Sequence, residues 1–366
     1  MIYLDHAATS LPRASHAVAA ATAAFELGNP GRGAARAAMD ACAALESARA
    51  AVRAFVGWGT VCFTSGTTAS LNIALRGWTP RPARVAIDPL THNAVRRTLA
   101  AIGVDVWVLP HDREGLVDVG AIAGAWRSET SLVVVTHGSN VTGGVQPLAA
   151  IAELSNRLGA RVIVDAAQTA ALLSLDIDHV DAVAFSAHKA LRALPGCGAL
   201  VVRDGARIEP AITGGTGGDS VALEMPAELP QRLEAGTPNV PGIVAMGASA
   251  SASTLRPAVV AEAAARLREA VVSAEVKPLA TNRLPVVSFE LPGYDARAVE
   301  EILDRSFGIV TRAGLHCAPA AHDVLGTSDR GTIRVSSGEG TTHSDLDGLT
   351  RALRELKRSR ALRRDG

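Results

Sequence analysis

The chain has 366 residues, 48% of them hydrophobic, which is enough for two domains around sizeable cores. Lysine plus arginine equals aspartate plus glutamate at 36 each, so net charge speaks against a polyanionic partner such as nucleic acid. No apolar run is long enough to span a bilayer, and Met1–Asp5 reaches an acidic residue without a basic-then-apolar leader, so a cytoplasmic chain with no membrane partner is expected.

Apolar runs alternate with helical stretches through the first two thirds. The predicted strands are Thr60–Phe63, Arg84–Ile87, Val104–Leu109, Leu132–Val135, Arg161–Val164, Ala182–Phe185 and Ala199–Val202. Alanine- and leucine-rich segments of helical length, such as Leu148–Leu158, lie between several of them. That alternation predicts an α/β domain with a mostly parallel, helix-covered sheet of seven strands. From about Met246 the texture changes. A long alanine-rich helical segment leads to Val286–Leu291, a helix at Ala296–Ser306, a glycine-rich patch and Thr332–Ser336, which reads as a smaller α+β domain. The expected division is a large domain over 15–245 and a small one made of 1–14 and 246–366. The basic tail, Arg351 to Arg364, with Leu346, Leu349, Leu353 and Leu356 at helical spacing, predicts a last helix with a solvated basic face. Of four cysteines, Cys42, Cys62, Cys197 and Cys317, none stands in a Cys-x-x-Cys pair or at metal-ligand spacing. Cys42 and Cys62 read as small buried residues.

In parallel sheets ligands bind beyond the carboxyl ends of the strands, and the polar residues cluster there. Phe63 is followed by Thr-Ser-Gly-Thr-Thr68, Val135 by Thr-His-Gly-Ser-Asn140, Val164 by Asp165-Ala-Ala-Gln168, and Phe185 by Ser186-Ala-His-Lys189. A lysine at a strand end can form a Schiff base with an aldehyde cofactor, and pyridoxal phosphate (PLP) is the natural candidate. The Ser65–Thr68 turn opens an amphipathic helix whose free N–H groups suit a phosphate, or it is an ordinary helix cap. Ser186 and His188 offer further phosphate contacts. Asp165 either keeps a pyridine nitrogen protonated or caps a helix. Gln168 can reach the cofactor's phenolic oxygen, and His92 can stack on its ring or be structural.

Taken in order, these segments resemble a known family. They are Tyr3-Leu-Asp-His-Ala-Ala-Thr9, Gly28-Asn-Pro-Gly-Arg32, Phe63–Thr68, Thr91-His-Asn93, Ser139-Asn-Val-Thr-Gly143, Val164–Gln168, Phe185–Lys189, Glu234-Ala-Gly-Thr-Pro-Asn239, Arg312-Ala-Gly-Leu-His-Cys317 and Gly331–Ser336. The chain is similar to the cysteine desulfurases of the class V aminotransferase group, PLP fold type I, from residue 3 to about 340.

The resemblance implies Lys189 as the Schiff-base lysine, Asp165 as the pyridinium partner, His92 over the ring and Gln168 near the phenolic oxygen. Thr67 or Thr68, Ser186 and His188 would hold the phosphate. Thr216 would reach the phosphate of the other subunit, so a homodimer is implied. Asn140 and Arg334 would bind the carboxylate of L-cysteine, Arg334 by a two-pronged contact. Cys317 would attack the substrate sulfur as a thiolate, leaving a persulfide on the enzyme and alanine as product. His316 would favour the thiolate electrostatically or act as an acid, and spacing does not decide between them. The short Arg-x-Gly-x-His-Cys arrangement resembles the Suf-type enzymes, which implies a partner protein as sulfur acceptor. Rival readings are a selenocysteine lyase, a class V aminotransferase or β-eliminating lyase, and a catalytically silent homologue. The pattern departs from the family in Ala190–Cys197 after the lysine, in Ala34-Ala35 after the Asn-Pro segment, and in Ser337–Thr342 near Arg334. These departures bear on substrate preference and on the acceptor.

Overall fold

The computed structural model describes residues 1–31, 33–218 and 221–364; Arg32 of the Gly28–Arg32 segment lies outside them. All seven predicted strands form and join one sheet. They are β1 (Thr60–Thr64), β2 (Arg84–Ile87), β3 (Asp105–Val108), β4 (Thr130–Thr136), β5 (Arg161–Asp165), β6 (Ala182–Ser186) and β7 (Gly198–Val202). Their order is β1-β7-β6-β5-β4-β2-β3. Neighbours run parallel from β6 to β3, whereas β7 is antiparallel to both β6 and β1.

The strands read as unbroken apolar runs because both faces of the sheet are covered. Val133, Val135, Val162, Val164, Val183 and Phe185 point into one core, with helices α1 (Ser15–Ala24) and α2 (Arg36–Val56). Leu132, Val134, Ile163, Ala182 and Ala184 point into the opposite core, under α3 (Thr67–Gly77) and α4 (Asn93–Ile102). The period of two along each strand assigns every side chain its face.

Helix α5 (Val240–Ala252) packs against α1 and α2. Its Ile243, Ala245, Met246 and Ala250 all belong to the first core. Residue 245 therefore falls inside a helix that packs as one piece, and we propose that the domain division follows α5. Beyond it, α6 (Pro257–Val272), α7 (Ala296–Phe307) and α8 (His343–Arg364) enclose a core with the antiparallel strands β8 (Val286–Phe289), β9 (Arg312–Gly314) and β10 (Thr332–Ser336). Leu346, Leu349, Leu353 and Leu356 of α8 are buried there, at the spacing that predicted the helix.

The N-terminal segment leaves this second domain and crosses to the first. Ile2–Tyr3 pairs in parallel with Ile309–Val310, and Leu4 lies in the second core. The Ser10 amide then donates to the His188 carbonyl and the Ala14 amide to the Arg192 carbonyl. Among the described residues no single helix is long and apolar enough to cross a membrane.

Candidate active site

At the carboxyl ends of β1, β4, β5 and β6 lies a cavity of about 220 Å³. Thr67, Thr68, His92, Asn140, Asp165, Gln168, Ser186, His188 and Lys189 all line it. Nine of the twelve residues singled out from sequence thus face one space. Arg334 and Cys317 adjoin it through hydrogen bonds described below. Thr216 does not line it and lies half-buried in the otherwise exposed stretch 211–218.

The phosphate-like end is built by close backbone approach. Gly66 opens α3 with φ 145 and ψ 176. The Thr67 amide donates to Ser186 Oγ at 2.9 Å, and the Thr67 and Ser186 hydroxyls are 2.7 Å apart. A Cβ on Gly198 would stand 2.6 Å from Gly66 Cα and 2.6 Å from the Phe185 carbonyl oxygen, so only glycine lets β7 lie beneath this turn. Past Ser186 the first-turn amides of Thr68 and Ala69 have no acceptor among the described residues. They give this end the donor character that an anion needs.

The polar groups beyond this end follow. Asp165 is buried at the end of β5, and its Oδ1 accepts from the Ala167 amide at 2.9 Å. His92 caps α4, its Nδ1 accepting from the Ala94 amide at 3.0 Å. Burial holds the His92 imidazole below its ordinary pKa, against the opposing charge of Asp165. With Nδ1 as acceptor the ring is neutral and carries its proton on Nε2. Gln168 donates from Nε2 to the Ala7 carbonyl at 2.8 Å. Burial also pushes His188 down to about 4, and its Nδ1 lies 2.9 Å from Thr9 Oγ1. Arg13 donates to that same hydroxyl at 2.8 Å and to the His188 carbonyl at 2.8 Å. The Thr9 hydroxyl also lies 3.3 Å from the His188 carbonyl, so this one residue is held from both its ring and its backbone.

The Lys189 amine has no hydrogen bond or ion pair among the described residues. Burial lowers its pKa to about 8, Asp165 and Cys317 raise it, and Arg334 and Arg312 lower it further. A lysine so held carries an appreciable neutral fraction near neutrality and is a usable nucleophile or base.

The cysteine loop rests on both domains. His316 and Cys317 have φ of 50° and 58°, consecutive left-handed conformations that side chains other than glycine rarely adopt. They are held there by three bonds. Asn140 Nδ2 donates to the His316 carbonyl at 2.8 Å, the Asn93 amide to the Cys317 carbonyl at 2.8 Å, and His316 Nε2 lies 2.9 Å from Thr332 Oγ1. Cys317 itself is exposed. His316 is buried, and that burial together with Arg334 drives its pKa far down, so it is a neutral imidazole. It cannot favour a thiolate as a cation. The cation beside the sulfur is Arg312, with Nη2 3.7 Å from Sγ.

Arg334 is 1% exposed, with Nη2 2.5 Å from Asp5 Oδ1 and Nη1 donating to the Asn140 carbonyl at 3.1 Å. Sequence reading gave no role to Asp5, Thr9, Arg13, Arg312 or Thr332. It also passed over Asp88, a fully buried carboxylate that accepts from the Leu90 and Thr136 amides and ties the ends of β2 and β4 together. Asp5 and Arg312 stood inside recognised segments, so their position was a usable signal. Asp88 had none beyond following an apolar strand.

The departure after the lysine is accommodated by local folding. The Arg192 amide donates to the Lys189 carbonyl at 2.7 Å, and Leu191, Ala193 and Cys197 are buried in the first core.

Comparison with known proteins gives a consistent picture. The family model for aminotransferase class-V matches residues 2–349. A Methanothermobacter thermautotrophicus protein named a probable cysteine desulfurase is 31% identical over 97% of this chain and 94% of its own length. The chain is similar in structure to the apo cysteine desulfurase of Thermococcus onnurineus, with a TM-score of 0.86 and 27% identity over 98% of this chain and 95% of that one. It is also similar to an Escherichia coli cysteine desulfurase solved with an S-sulfonic acid, with a TM-score of 0.84 and 26% identity over 99% and 95% of the two chains.

Proposed function

Since this chain belongs to the class-V aminotransferase family, we propose that it is a PLP-dependent cysteine desulfurase of fold type I, which takes the sulfur of L-cysteine onto Cys317 and releases L-alanine. One observation carries the reading: an exposed thiol beside the Arg312 guanidinium, on a loop tied through Asn93 and Asn140 to the walls of the Lys189 cavity.

The residues present fit PLP. The cavity has the unpaired Thr68 and Ala69 amides and the mutually bonded Thr67 and Ser186 hydroxyls at the α3 end, a buried carboxylate at Asp165, and an amine without a partner at Lys189. Thr67, Thr68, Ser186 and His188 would hold the phosphate, Asp165 the pyridine nitrogen with its proton, Gln168 the phenolic oxygen, and His92 the ring face. Bound there, PLP supplies an electron sink that acidifies the substrate Cα–H and weakens its Cβ–S bond.

This chain's own side chains would do the rest. Lys189 would tether the cofactor and, as a free amine, would carry the proton away from the substrate Cα. Arg334 and Asn140 receive the substrate carboxylate. Arg312 holds negative charge at Cys317 Sγ. That sulfur attacks the substrate sulfur: the S–S bond forms as the Cβ–S bond breaks, and the electron pair left on Cβ takes a proton to become the methyl group of alanine. Left on an exposed loop, the persulfide is open to an acceptor protein, which we include in the proposal. So is the homodimer, with Thr216 completing the partner's site. The stretch that carries Thr216 has the exposed apolar side chains Ile212 and Leu223 on either side of it.

The test is product analysis from L-cysteine under reductant, comparing wild type with Cys317→Ala. Wild type should release alanine and sulfide together, and the variant neither. Pyruvate in place of alanine, or unchanged turnover in the variant, would move the assignment to a β-eliminating lyase. Turnover of selenocysteine alone would make it a selenocysteine lyase.

A further inference from the structure

Arg334 is the guanidinium assigned to the substrate carboxylate, yet two of its three nitrogens are already engaged within the protein. Nη2 faces Asp5 at 2.5 Å, Nη1 donates to the Asn140 carbonyl, and Nε is buried without a partner. Asp5 is the one carboxylate within ion-pair distance of it among the described residues. Arg312, its cross-strand neighbour, and Lys189 add like charge nearby. Thus the arginine already holds a carboxylate, and that carboxylate comes from the protein.

We propose that Asp5 is a built-in competitor for the substrate carboxylate, which weakens the binding of amino acids and leaves that of plain amines untouched. This rests on the desulfurase reading above. Two carboxylates on one guanidinium fork repel, so a substrate carboxylate that takes a two-pronged contact must turn Asp5 off Nη2. A ligand without a carboxylate leaves the Asp5–Arg334 pair intact and is indifferent to it. Asp5 is well placed to yield and return. It belongs to the N-terminal segment, whose backbone is anchored on both sides of it by Leu4 in the second core and by the Ala7 amide on Ser336 Oγ. Only its side chain needs to rotate.

The experiment compares wild type, Asp5→Asn and Asp5→Glu on the cofactor-loaded protein. Removing the competing charge should lower KM for L-cysteine and Kd for L-alanine, measured by calorimetry, by about tenfold, the scale of one charge-assisted hydrogen bond. The kcat should change less than twofold. Binding of cysteamine, which has no carboxylate, should not change, and Asp5→Glu should stay near wild type. Loss of an ion pair should also lower the melting temperature of the cofactor-free Asp5→Asn chain. An L-alanine affinity that is unchanged or weaker in Asp5→Asn overturns the proposal, as does an equal gain for cysteamine. If Asp5→Asn folds poorly, Asp5→Ser carries the same comparison. Failure of the desulfurase reading would appear separately, as a wild type that makes no alanine from cysteine, because L-alanine binding reads the competition without turnover.

Discussion

Glu234 braces the cofactor end of the sheet, and its loss can be priced from the contacts it makes. Its carboxylate accepts from Arg49 Nη1 at 2.7 Å and Nη2 at 2.9 Å, and from the Phe63 amide at 2.6 Å. Both side chains are largely buried, at 12% and 18% exposure, so solvent screens the pair little. Glu234→Ala strands the Phe63 amide, at about 1–2 kcal/mol, and removes a two-pronged charged contact, at about 2 kcal/mol. Arg49 keeps Glu46 and the Val61 carbonyl, which holds the total near 3 kcal/mol, the lower end for a broken buried pair. For a chain of this size that is a fall in melting temperature of about 4 °C. Glu234→Gln keeps an acceptor for Phe63 and should lose about half as much. Because Phe63 lies three residues before Gly66, PLP affinity should fall in parallel. Calorimetric melting of the two variants and of Arg49→Ala/Glu234→Ala would check this. A loss below about 1 kcal/mol for Glu234→Ala, or full additivity in the double variant, would refute the reasoning.

Three further outcomes follow from the same coordinates. Gly198→Ala forces a methyl group against Gly66 Cα and the Phe185 carbonyl, so it should cost about 1–3 kcal/mol of stability and weaken PLP binding, read by equilibrium dialysis. Thr332→Val removes the partner of His316 Nε2 and should lower kcat at least several-fold with little change in L-cysteine KM, measured by steady-state kinetics. Burial depresses His6, His137 and His188 to about 4, so the unfolded chain binds more protons than the folded one between about pH 6.5 and 4. The stability they contribute is present above pH 6.5 and lost as pH falls toward 4. Asp88, raised to about 6 by burial, and Glu300, also raised by burial, work in the opposite sense but are two groups against three. Melting temperature of the cofactor-free protein should therefore drop as pH is lowered from 7 to 4.5, and a flat profile would contradict it.

Much of this was legible in the chain. Strands buried on both faces are continuous apolar runs, and their polar ends mark where a parallel sheet binds its ligand, so Lys189, Asp165, Gln168 and Ser186 could be placed before any coordinates. What stayed hidden depends on contacts distant in sequence. His316 read as either an electrostatic helper or an acid because it adjoins Cys317; burial makes it a neutral imidazole held by Thr332, while Arg312 across the loop carries the charge. The link from Asp5 to Arg334 spans almost the whole chain. No spacing rule reads a pair so far apart. The division near residue 245 was read from composition, which does not reveal that α5 packs as a unit against α1 and α2.

The central claim is that Cys317 accepts the substrate sulfur. The most direct measurement is intact-mass and peptide mass spectrometry of the PLP-loaded protein after a brief exposure to L-cysteine without reductant. The account predicts one added sulfur atom on the peptide containing Cys317, lost on later treatment with reductant and absent from Cys317→Ala. Alanine formed in equal amount with no sulfur on Cys317, or sulfur found on Cys42 in its place, would contradict it.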